Sequence, residues 1–403
     1  MIEKNPYPKR RVLLLIADGA GIGEAPDEAA YGTPGANTLS HVGTAAGPVA
    51  MPYLEKIGLG HLTPINGLAS TDRPEGVIGR LVESSSGVDT PTGHWELCGV
   101  MTDTAPPTYP NGFPVELLDA FCDAVGLPRG HVLGNCPENG EKIIARLGPE
   151  HQATGAPIVY TSADSVFQIA VHTDVVPLDE LYRWCEAARE ICTGEHAVGR
   201  IIARPFEGEP GAYHRRAERR DLALPPPRPT ACERLDDAGI EVIGIGKTAD
   251  IFARVGITTE LHPNGLEAGC AATAEVLANH DGPAFILTNL VDFDTLYGHV
   301  RDPQGYAAAL EQLDGWCVKL NELLRPGDVI LISADHGNDP TFIATNDHTR
   351  ERVPLVAWGP GIAGADLGTR AMADVGPTLC DLFAVHHPGM DGTSFADHLQ
   401  GAS

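Results

Sequence analysis

The chain has 403 residues, 43% of them hydrophobic and 6% aromatic, which allows two domains and is typical of a globular protein. A formal net charge of -26 argues against a nucleic-acid partner, because a phosphate backbone would repel such a surface. The nine cysteines contain no C-x-x-C pair, which excludes a zinc knuckle and favours a reduced, cytoplasmic protein. The early apolar run "VLLLIA" is too short for a signal peptide or a membrane span, so no membrane partner is expected.

Apolar runs that end in Asp, Gly or Lys predict buried strands. In chain order they are "RVLLLIADG" (11–19), "EVIGIGK" (241–247), "AFILTNLVDFD" (284–294), "DVILISADHGND" (328–339) and "VPLVAWGPG" (353–361). The stretch 305–325, between two of these strands, has the three- and four-residue apolar spacing of a helix. This alternation predicts an α/β fold with a mostly parallel sheet between helices, and ligands gather at the carboxyl ends of such strands.

The middle of the chain has a different pattern. A proline-rich entry, "TAPPTYPNGFP", and an exit, "ALPPPRPT", are typical of linkers around an inserted domain. The sequence therefore predicts a core domain, residues 1–101 and 229–403, and a smaller inserted α/β domain, residues 102–228.

Six acidic and histidine side chains stand in places where metal ligands are expected. They are Asp18, Asp294, His299, Asp335, His336 and His348, mostly at strand ends. Any one of them alone is more simply a turn, cap or hydrogen-bonded residue. Together, the D-x-x-x-x-H, D-H-G and D-H-T patterns predict two divalent cations, and imidazole ligands suit Mn²⁺ or Zn²⁺ better than Mg²⁺.

Two features suggest other interpretations. The glycines of "DGAGIGEA" resemble a dinucleotide-binding turn, but Gly19, Gly21 and Gly23 give G-x-G-x-G, and Glu24 stands where G-x-G-x-x-G requires its third glycine. This disfavours an NAD-dependent dehydrogenase. In "DTPTGHWE", Thr90 precedes a proline, as a helix N-cap would, yet a hydroxyl at a helix N-terminus is also well placed to carry phosphate. Spacing alone leaves both roles of Thr90 open, with Thr92 one position into the helix.

Several longer motifs resemble the alkaline phosphatase superfamily of two-metal phosphotransferases. They are "GANTLSH", "DTPTGHWE", "YTSADSVFQIAVH", "GRIIARPF", "GIGKTADI", "VDFDTLYGHVRD", "SADHGNDPT" and "DHTRERVP". Within the superfamily they are most similar to the branch that moves a phosphoryl group between carbons 1 and 5 of ribose or 2-deoxyribose. The resemblance implies an alkaline-phosphatase-like core and an inserted cap domain that recognises the sugar phosphate and excludes water.

The resemblance also implies roles for individual residues. One cation would be held by Asp18, Asp335 and His336, and the other by Asp294, His299 and His348, with manganese the usual metal. Thr90 would be the phosphorylated nucleophile, because "DTPTGH" aligns with the N-S-E-x-G-H motif of cofactor-independent phosphoglycerate mutases. The implied substrate-binding residues are Ser162, Asp164, Val166, Arg200, Ile202, Arg215 and Lys247, and arginine suits a phosphate dianion.

The implied reaction is an isomerisation by intramolecular phosphoryl transfer. Phospho-Thr90 would give its phosphoryl group to the sugar monophosphate, form a 1,5-bisphosphate, and take back the other phosphate. A sugar bisphosphate such as glucose 1,6-bisphosphate would charge the enzyme. The competing functions are a phosphoglycerate mutase, a phosphatase and a non-catalytic metal-binding protein. Two departures from the family stand out: Val88 where many relatives have lysine, and one extra residue between His336 and His348.

Overall fold

The computed structural model describes residues 10–162, 164–345 and 347–400. The chain divides into two compact units. Unit 1 comprises the chain up to Thr104 and from Pro225 onward, and unit 2 is the continuous segment Ala105–Leu224. None of the helices in these described ranges combines the length and apolar character that crossing a membrane requires.

The secondary structure alternates strands and helices in both units. The strands are β1 (Arg11–Ala17), β2 (Val77–Val82), β3 (Leu133–Pro137), β4 (Ile158–Thr161), β5 (Val166–His172), β6 (Arg200–Glu207), β7 (His214–Arg215), β8 (Arg220–Ala223), β9 (Glu241–Ile245), β10 (Thr259–Leu261), β11 (Ala284–Leu290), β12 (Val329–Ser333), β13 (Val353–Trp358) and β14 (Ala365–Ala371). The helices are α1 (Thr38–Ala46), α2 (Pro52–Ile57), α3 (Leu59–Leu62), α4 (Thr90–Leu97), α5 (Val115–Val125), α6 (Gly140–Thr154), α7 (Leu178–Ile191), α8 (Ala231–Asp237), α9 (Thr248–Ile251), α10 (Leu266–Asn279), α11 (Pro303–Glu322) and α12 (Val375–Leu382).

Shorter helical turns are Glu28–Tyr31, Gly194–His196, Met372–Asp374 and Ala396–His398, of 3-10 type, and Phe293–Gly298, a π-helix. Helix α11 begins two residues before the predicted stretch. Asp302 caps it by accepting a hydrogen bond from the N–H of Gly305, and Pro303 occupies a first-turn position that needs no N–H donor.

Unit 1 contains an eight-stranded sheet in the order β10-β9-β11-β1-β12-β13-β2-β14, counted over the described residues. Strand β1 lies between β11 and β12, is parallel to both, and is buried along its whole length. Only β13 runs against its neighbours β12 and β2. The predicted α/β class with a mostly parallel sheet is confirmed. Because β11, β1 and β12 are parallel neighbours, the residues that follow them meet at one edge of the sheet.

Unit 2 is built on a smaller mixed sheet in the order β3-β4-β5-β6-β7, with β8 also paired to β6. Alternate residues of its strands point to opposite faces, as the two-residue period of a strand requires. Val159 and Phe167 pack on one face in the apolar cluster that includes α5 and α7, whereas Ile158 and Tyr160 pack with Ile143 of α6. Unit 2 thus has its own apolar cores; its role as a cap remains a prediction.

Candidate metal centre

Asp18, Asp335 and His336 form the first metal-capable group. Asp18 follows β1 directly, and Asp335 and His336 follow its parallel neighbour β12, so the sheet brings them to the same edge. One ligand atom from each lies within 4.8 Å of the others, and all three residues are buried. We call these three residues the first group.

The carboxylates of the first group each keep one oxygen free. Oδ2 of Asp18 accepts a hydrogen bond from Nδ2 of Asn289, and Oδ1 of Asp335 accepts one from the N–H of Gly19. The other oxygens, Oδ1 of Asp18 and Oδ2 of Asp335, are buried without a hydrogen-bond partner in the described part of the chain. Nε2 of His336 lies 3.6 Å and 3.3 Å from them. Two free anionic oxygens beside an imidazole nitrogen fit a divalent cation.

The electrostatic environment of Asp18 also favours a bound cation. Burial, and then the nearby carboxylates of Asp335 and Asp294, raise the pKa of Asp18 well above its ordinary value. A buried cluster of like charges is unfavourable unless a cation compensates it. The donor set therefore suits a metal ion better than it suits an isolated carboxylate.

Asp294, His299 and His348 form the second metal-capable group, again with one ligand atom each within 4.8 Å of the others. Asp294 does not end a strand, as the sequence suggested, but lies in the π-helical turn Phe293–Gly298 just after β11. In this turn the N–H of His299 donates to the carbonyl of Asp294, 2.9 Å away, which stacks residues five apart. Nε2 of His299 and Nε2 of His348 lie 3.3 Å and 3.4 Å from Asp294 oxygens.

Thr90 is the first residue of α4, and its side chain faces the first group. Its Oγ1 lies 3.2 Å from Nε2 of His336. The expectation that Thr90 caps the helix is wrong: the cap is Asp89, whose carboxylate accepts hydrogen bonds from the N–H of Thr92 at 3.1 Å and from its hydroxyl at 2.9 Å. A carboxylate is a stronger acceptor than a hydroxyl and caps the helix in its place, so Oγ1 of Thr90 is not used for capping.

The same geometry limits what the start of α4 offers an anion. Pro91 has no N–H, and the N–H of Thr92 is used by Asp89. The N–H of Gly93 donates to the carbonyl of Asp89. Most donors expected at a helix N-terminus are therefore absent or occupied, so an anion bound at this end of α4 would have to be balanced mainly by cations.

The loop before Thr90 is held by residues near His348. Nδ1 of His348 lies 2.7 Å from the carbonyl of Val88, which directs Nε2 toward Asp294. Arg350 is buried, and its Nη1 donates to the carbonyl of Gly87 at 2.8 Å. Since Val88 contributes a backbone carbonyl, this contact does not depend on the lysine that many relatives have there.

Six of the predicted substrate-binding residues line a cavity of about 270 Å³ in unit 2. They are Ser162, Asp164, Val166, Arg200, Ile202 and Arg215. Arg204 and Arg219 also line this cavity, whereas Arg216 pairs with Glu207 and Glu218 outside it. Lys247 lies in unit 1, in the turn between β9 and α9. Its positive charge lowers the pKa of Asp18, against the larger effect of burial.

Comparison with known proteins identifies the family. Residues 10–387 match the model of the Metalloenzyme superfamily. A phosphopentomutase of Anaeromyxobacter dehalogenans (strain 2CP-C) is 50% identical over 388 residues, which cover 96% of this chain and 97% of the relative. The chain belongs to the phosphopentomutase family. A phosphopentomutase of Carboxydothermus hydrogenoformans is 48% identical over 388 residues, 96% of this chain and 98% of that relative. The resemblance inferred from the motifs is confirmed.

Solved structures resemble the chain more distantly. PH0037 protein from Pyrococcus horikoshii has a TM-score of 0.48 at 15% identity and covers 94% of this chain and 98% of its own. Leishmania mexicana phosphoglycerate mutase has a TM-score of 0.49 at 13% identity, with 97% and 98% covered. The assignment to the phosphopentomutase family rests on the sequence relatives alone.

Sequence reasoning missed residues that contact the candidate ligands of this phosphopentomutase-family chain. Nδ2 of Asn338 donates to Oδ1 of Asp294 at 2.6 Å, and Asn289 and His94 contact the first group. These residues have no ligand spacing of their own. One signal was available: Thr288 and Asn289 are polar residues in a strand that is otherwise apolar, and a buried polar residue in such a strand needs a partner.

Proposed function

We propose that this protein is a phosphopentomutase, an isomerase that interconverts ribose 1-phosphate or 2-deoxyribose 1-phosphate with the corresponding 5-phosphate. The observation that carries the proposal is the position of Thr90, whose Oγ1 lies 3.2 Å from His336 between the start of α4 and the first group. The family relatives named phosphopentomutase support the same substrate class.

We assign the phosphoryl-carrying role to Thr90 and the metal-binding roles to the two groups. Mixed carboxylate and imidazole ligands suit Mn²⁺ or Zn²⁺, and the family resemblance makes Mn²⁺ the expected metal. When bound, two such cations neutralise a phosphoryl group and favour the alkoxide of a hydroxyl. The chain's own contribution is position: Asp89 caps α4, His336 faces Thr90, and the loop before Thr90 is tied to His348. Positioning and charge balance account for most of the catalysis of phosphoryl transfer.

Phospho-Thr90 would transfer its phosphoryl group to the sugar monophosphate, with the free sugar hydroxyl attacking phosphorus and the Thr90 oxygen leaving. The product is the 1,5-bisphosphate, and attack by the Thr90 oxygen on the other phosphate regenerates the phosphoenzyme and releases the isomer. In each cycle Thr90 gives one phosphoryl group to the sugar and takes one back, so the phosphoenzyme is restored. A sugar bisphosphate such as glucose 1,6-bisphosphate would load an unphosphorylated enzyme.

We assign recognition of the sugar phosphate to unit 2. Among the arginines that line its cavity, Arg219 is paired with Asp221, Arg204 donates to Gln168 at 3.2 Å, and Arg200 lies 3.8 Å from Asp164. Arg215 forms no ion pair within the described ranges, so its charge is available to a phosphate. We propose the cytoplasm as the location, because nine cysteines without a C-x-x-C pair are typical of a protein in a reducing compartment.

The proposal is tested by a coupled assay of ribose 1-phosphate conversion with Mn²⁺ and glucose 1,6-bisphosphate. Thr90→Ala should lower turnover on the order of 10³-fold or more, while Thr92→Val, a matched control, should retain most of the activity. If the wild type converts no pentose phosphate, the proposed substrate is wrong. Full activity in Thr90→Ala would exclude the phosphothreonine route, and release of inorganic phosphate as the main product would favour a phosphatase.

A further inference from the structure

His94 connects Thr90 to the first group. It is wholly buried in α4, one turn after Thr90, and its Nδ1 lies 2.8 Å from the carbonyl oxygen of Thr90. The same nitrogen lies 3.2 Å from Oδ2 of Asp335. On the other side of the ring, Nε2 lies 2.9 Å from Nδ2 of Asn289. One imidazole therefore touches the backbone of the candidate nucleophile and a carboxylate of the first group.

Asn289 extends this contact to the second carboxylate. It lies near the end of β11 and is 4% exposed, and its Nδ2 donates to Oδ2 of Asp18 at 2.8 Å. An amide nitrogen carries two protons and accepts none, so its second proton is directed at Nε2 of His94. The opposite amide orientation would set Oδ1 against the carboxylate of Asp18, which is unfavourable.

The orientation of Asn289 fixes the proton on the His94 ring. Since Nε2 accepts from Asn289, the ring proton is on Nδ1, where it donates to the carbonyl of Thr90. Oδ2 of Asp335 then lies 3.2 Å from this protonated nitrogen but outside hydrogen-bond geometry, and among the described residues neither it nor Oδ1 of Asp18 has a hydrogen-bond partner. The free oxygens of both carboxylates are those that lie near Nε2 of His336.

We propose that His94 and Asn289 are positioning residues that orient Asp18 and Asp335 as ligands of one cation and tie that cation site to the turn of α4 that carries Thr90. The inference rests on the metal role assigned above to the first group. Residues that hydrogen-bond to metal ligands fix the ligand's orientation, and their loss commonly lowers metal affinity on the order of 10- to 100-fold.

The test is Mn²⁺ binding without substrate, measured by titration with detection of free Mn²⁺ by electron paramagnetic resonance. Asn289→Leu removes both donors at similar volume. We expect it to weaken one Mn²⁺ site on the order of 10- to 100-fold and leave the other unchanged. In the background of Asp294→Asn, which disables the second group, the remaining site should be the weakened one.

Three further variants separate positioning from a general loss of stability. Thr288→Val is the matched control, because it removes a buried hydrogen bond to Thr273 from the residue next to Asn289 without touching the first group. It should lower the melting temperature of the metal-free protein and leave both Mn²⁺ affinities unchanged. His94→Phe should weaken the same site as Asn289→Leu, and His94→Asn, which can still donate to Thr90, should recover part of the affinity.

The inference is overturned if Asn289→Leu binds two Mn²⁺ ions with wild-type affinity, or if both sites weaken equally, as a merely structural role would predict. If Asn289→Leu does not fold, His94→Asn and His94→Phe decide the question by the same measurement. Because substrate is absent, a wild type that binds Mn²⁺ selectively at both groups but converts no pentose phosphate contradicts the proposed function and leaves this inference standing.

Discussion

Oγ1 of Thr90 lies 3.2 Å from Nε2 of His336, at the edge of the sheet where β1 and β12 end. The hydroxyl of Thr92, two residues on, is directed away, into the carboxylate of Asp89 at 2.9 Å, and Thr92 is 3% exposed. The two threonines of "DTPTGHWE" therefore have different functions, one facing the candidate metal site and one completing the helix cap.

From this difference we predict that phosphate is found on Thr90 and not on Thr92. After incubation with Mn²⁺ and glucose 1,6-bisphosphate, fragmentation mass spectrometry of the peptide should place the added phosphate on Thr90. Thr92→Val should still be phosphorylated, whereas Thr90→Val should not. A phosphate on Thr92 in the wild type would contradict the assignment of the nucleophile.

A second prediction concerns Arg301, which ties the segment after His299 to the loop before His348. Its Nη1 donates to the carbonyl of Phe342 at 2.8 Å and its Nη2 to that of Thr345 at 2.5 Å. The residue has φ +60°, a conformation that is uncommon for a side chain of this size. Arg301→Met should weaken Mn²⁺ binding at the second group on the order of tenfold and leave the first group unchanged.

The control for this prediction is Arg254→Met, since Arg254 also has a positive φ, +64°, but makes an exposed ion pair with Asp250. It should leave both Mn²⁺ affinities as in the wild type. Equal weakening of the two sites in Arg301→Met would mean that the loop contacts act through general stability and not through His348.

The sequence predicted which acidic and histidine side chains lie close together better than it predicted local geometry. Acidic residues after parallel apolar strands meet at one edge whatever the details of the turns, so the proximity of Asp18 and Asp335 follows from the strand pattern, whereas the division of the six candidates into two groups came from the resemblance to the family. The helix cap was predicted wrongly because the Thr-Pro pair is typical of an N-cap, and the competing acceptor, Asp89, stands just before it. The π-helical turn at Asp294 leaves no signature in residue spacing. His94 and Asn289 were missed because their role depends on contacts between distant segments.

A third prediction concerns acid stability and rests on His151 in unit 2. The ring is wholly buried; its Nδ1 donates to the carbonyl of Ala156 at 2.7 Å, and its Nε2 accepts the N–H of His172 at 2.8 Å. Burial lowers the pKa of His151 below its ordinary value. At acidic pH the unfolded chain therefore binds a proton at His151 that the folded chain does not bind. The contribution of this group to the free energy of unfolding is full above about pH 6.5 and falls as the pH drops below that value.

The measurement is urea unfolding at a series of pH values from about 7.5 to about 5, in steps of roughly half a pH unit. The free energy of unfolding of the wild type should fall below about pH 6.5 by up to about 1.4 kcal/mol per pH unit from this one group. His151→Gln should have a lower free energy of unfolding than the wild type at about pH 7.5, and this free energy should decrease less as the pH falls. The control Thr161→Val, which removes a buried hydrogen bond to the carbonyl of Val166 in unit 2 but no titratable group, should keep the wild-type slope, and an unchanged slope in His151→Gln would rule out this origin.

The last prediction concerns the contact that brings α4 against the end of β12. A Cβ on Gly93 would lie 2.2 Å from the carbonyl oxygen of Asp335 and 2.9 Å from its Cβ, so only glycine permits the approach. These are atoms near the sheet edge that cannot rotate away, so Gly93→Ala must move the helix and separate Thr90 from His336. A displacement of about 1 Å can cost on the order of 100-fold in rate, and we expect turnover to fall by at least that much.

Gly315→Ala is the matched control, because Gly315 lies in α11 and no atom of the described residues lies within 4 Å of an added Cβ. It should leave turnover unchanged and raise the free energy of unfolding by about 0.5–1 kcal/mol, since alanine favours a helix over glycine. The prediction is checked by measuring turnover and thermal unfolding of both variants. Wild-type turnover in Gly93→Ala would show that the close approach of α4 to Asp335 is not what positions Thr90.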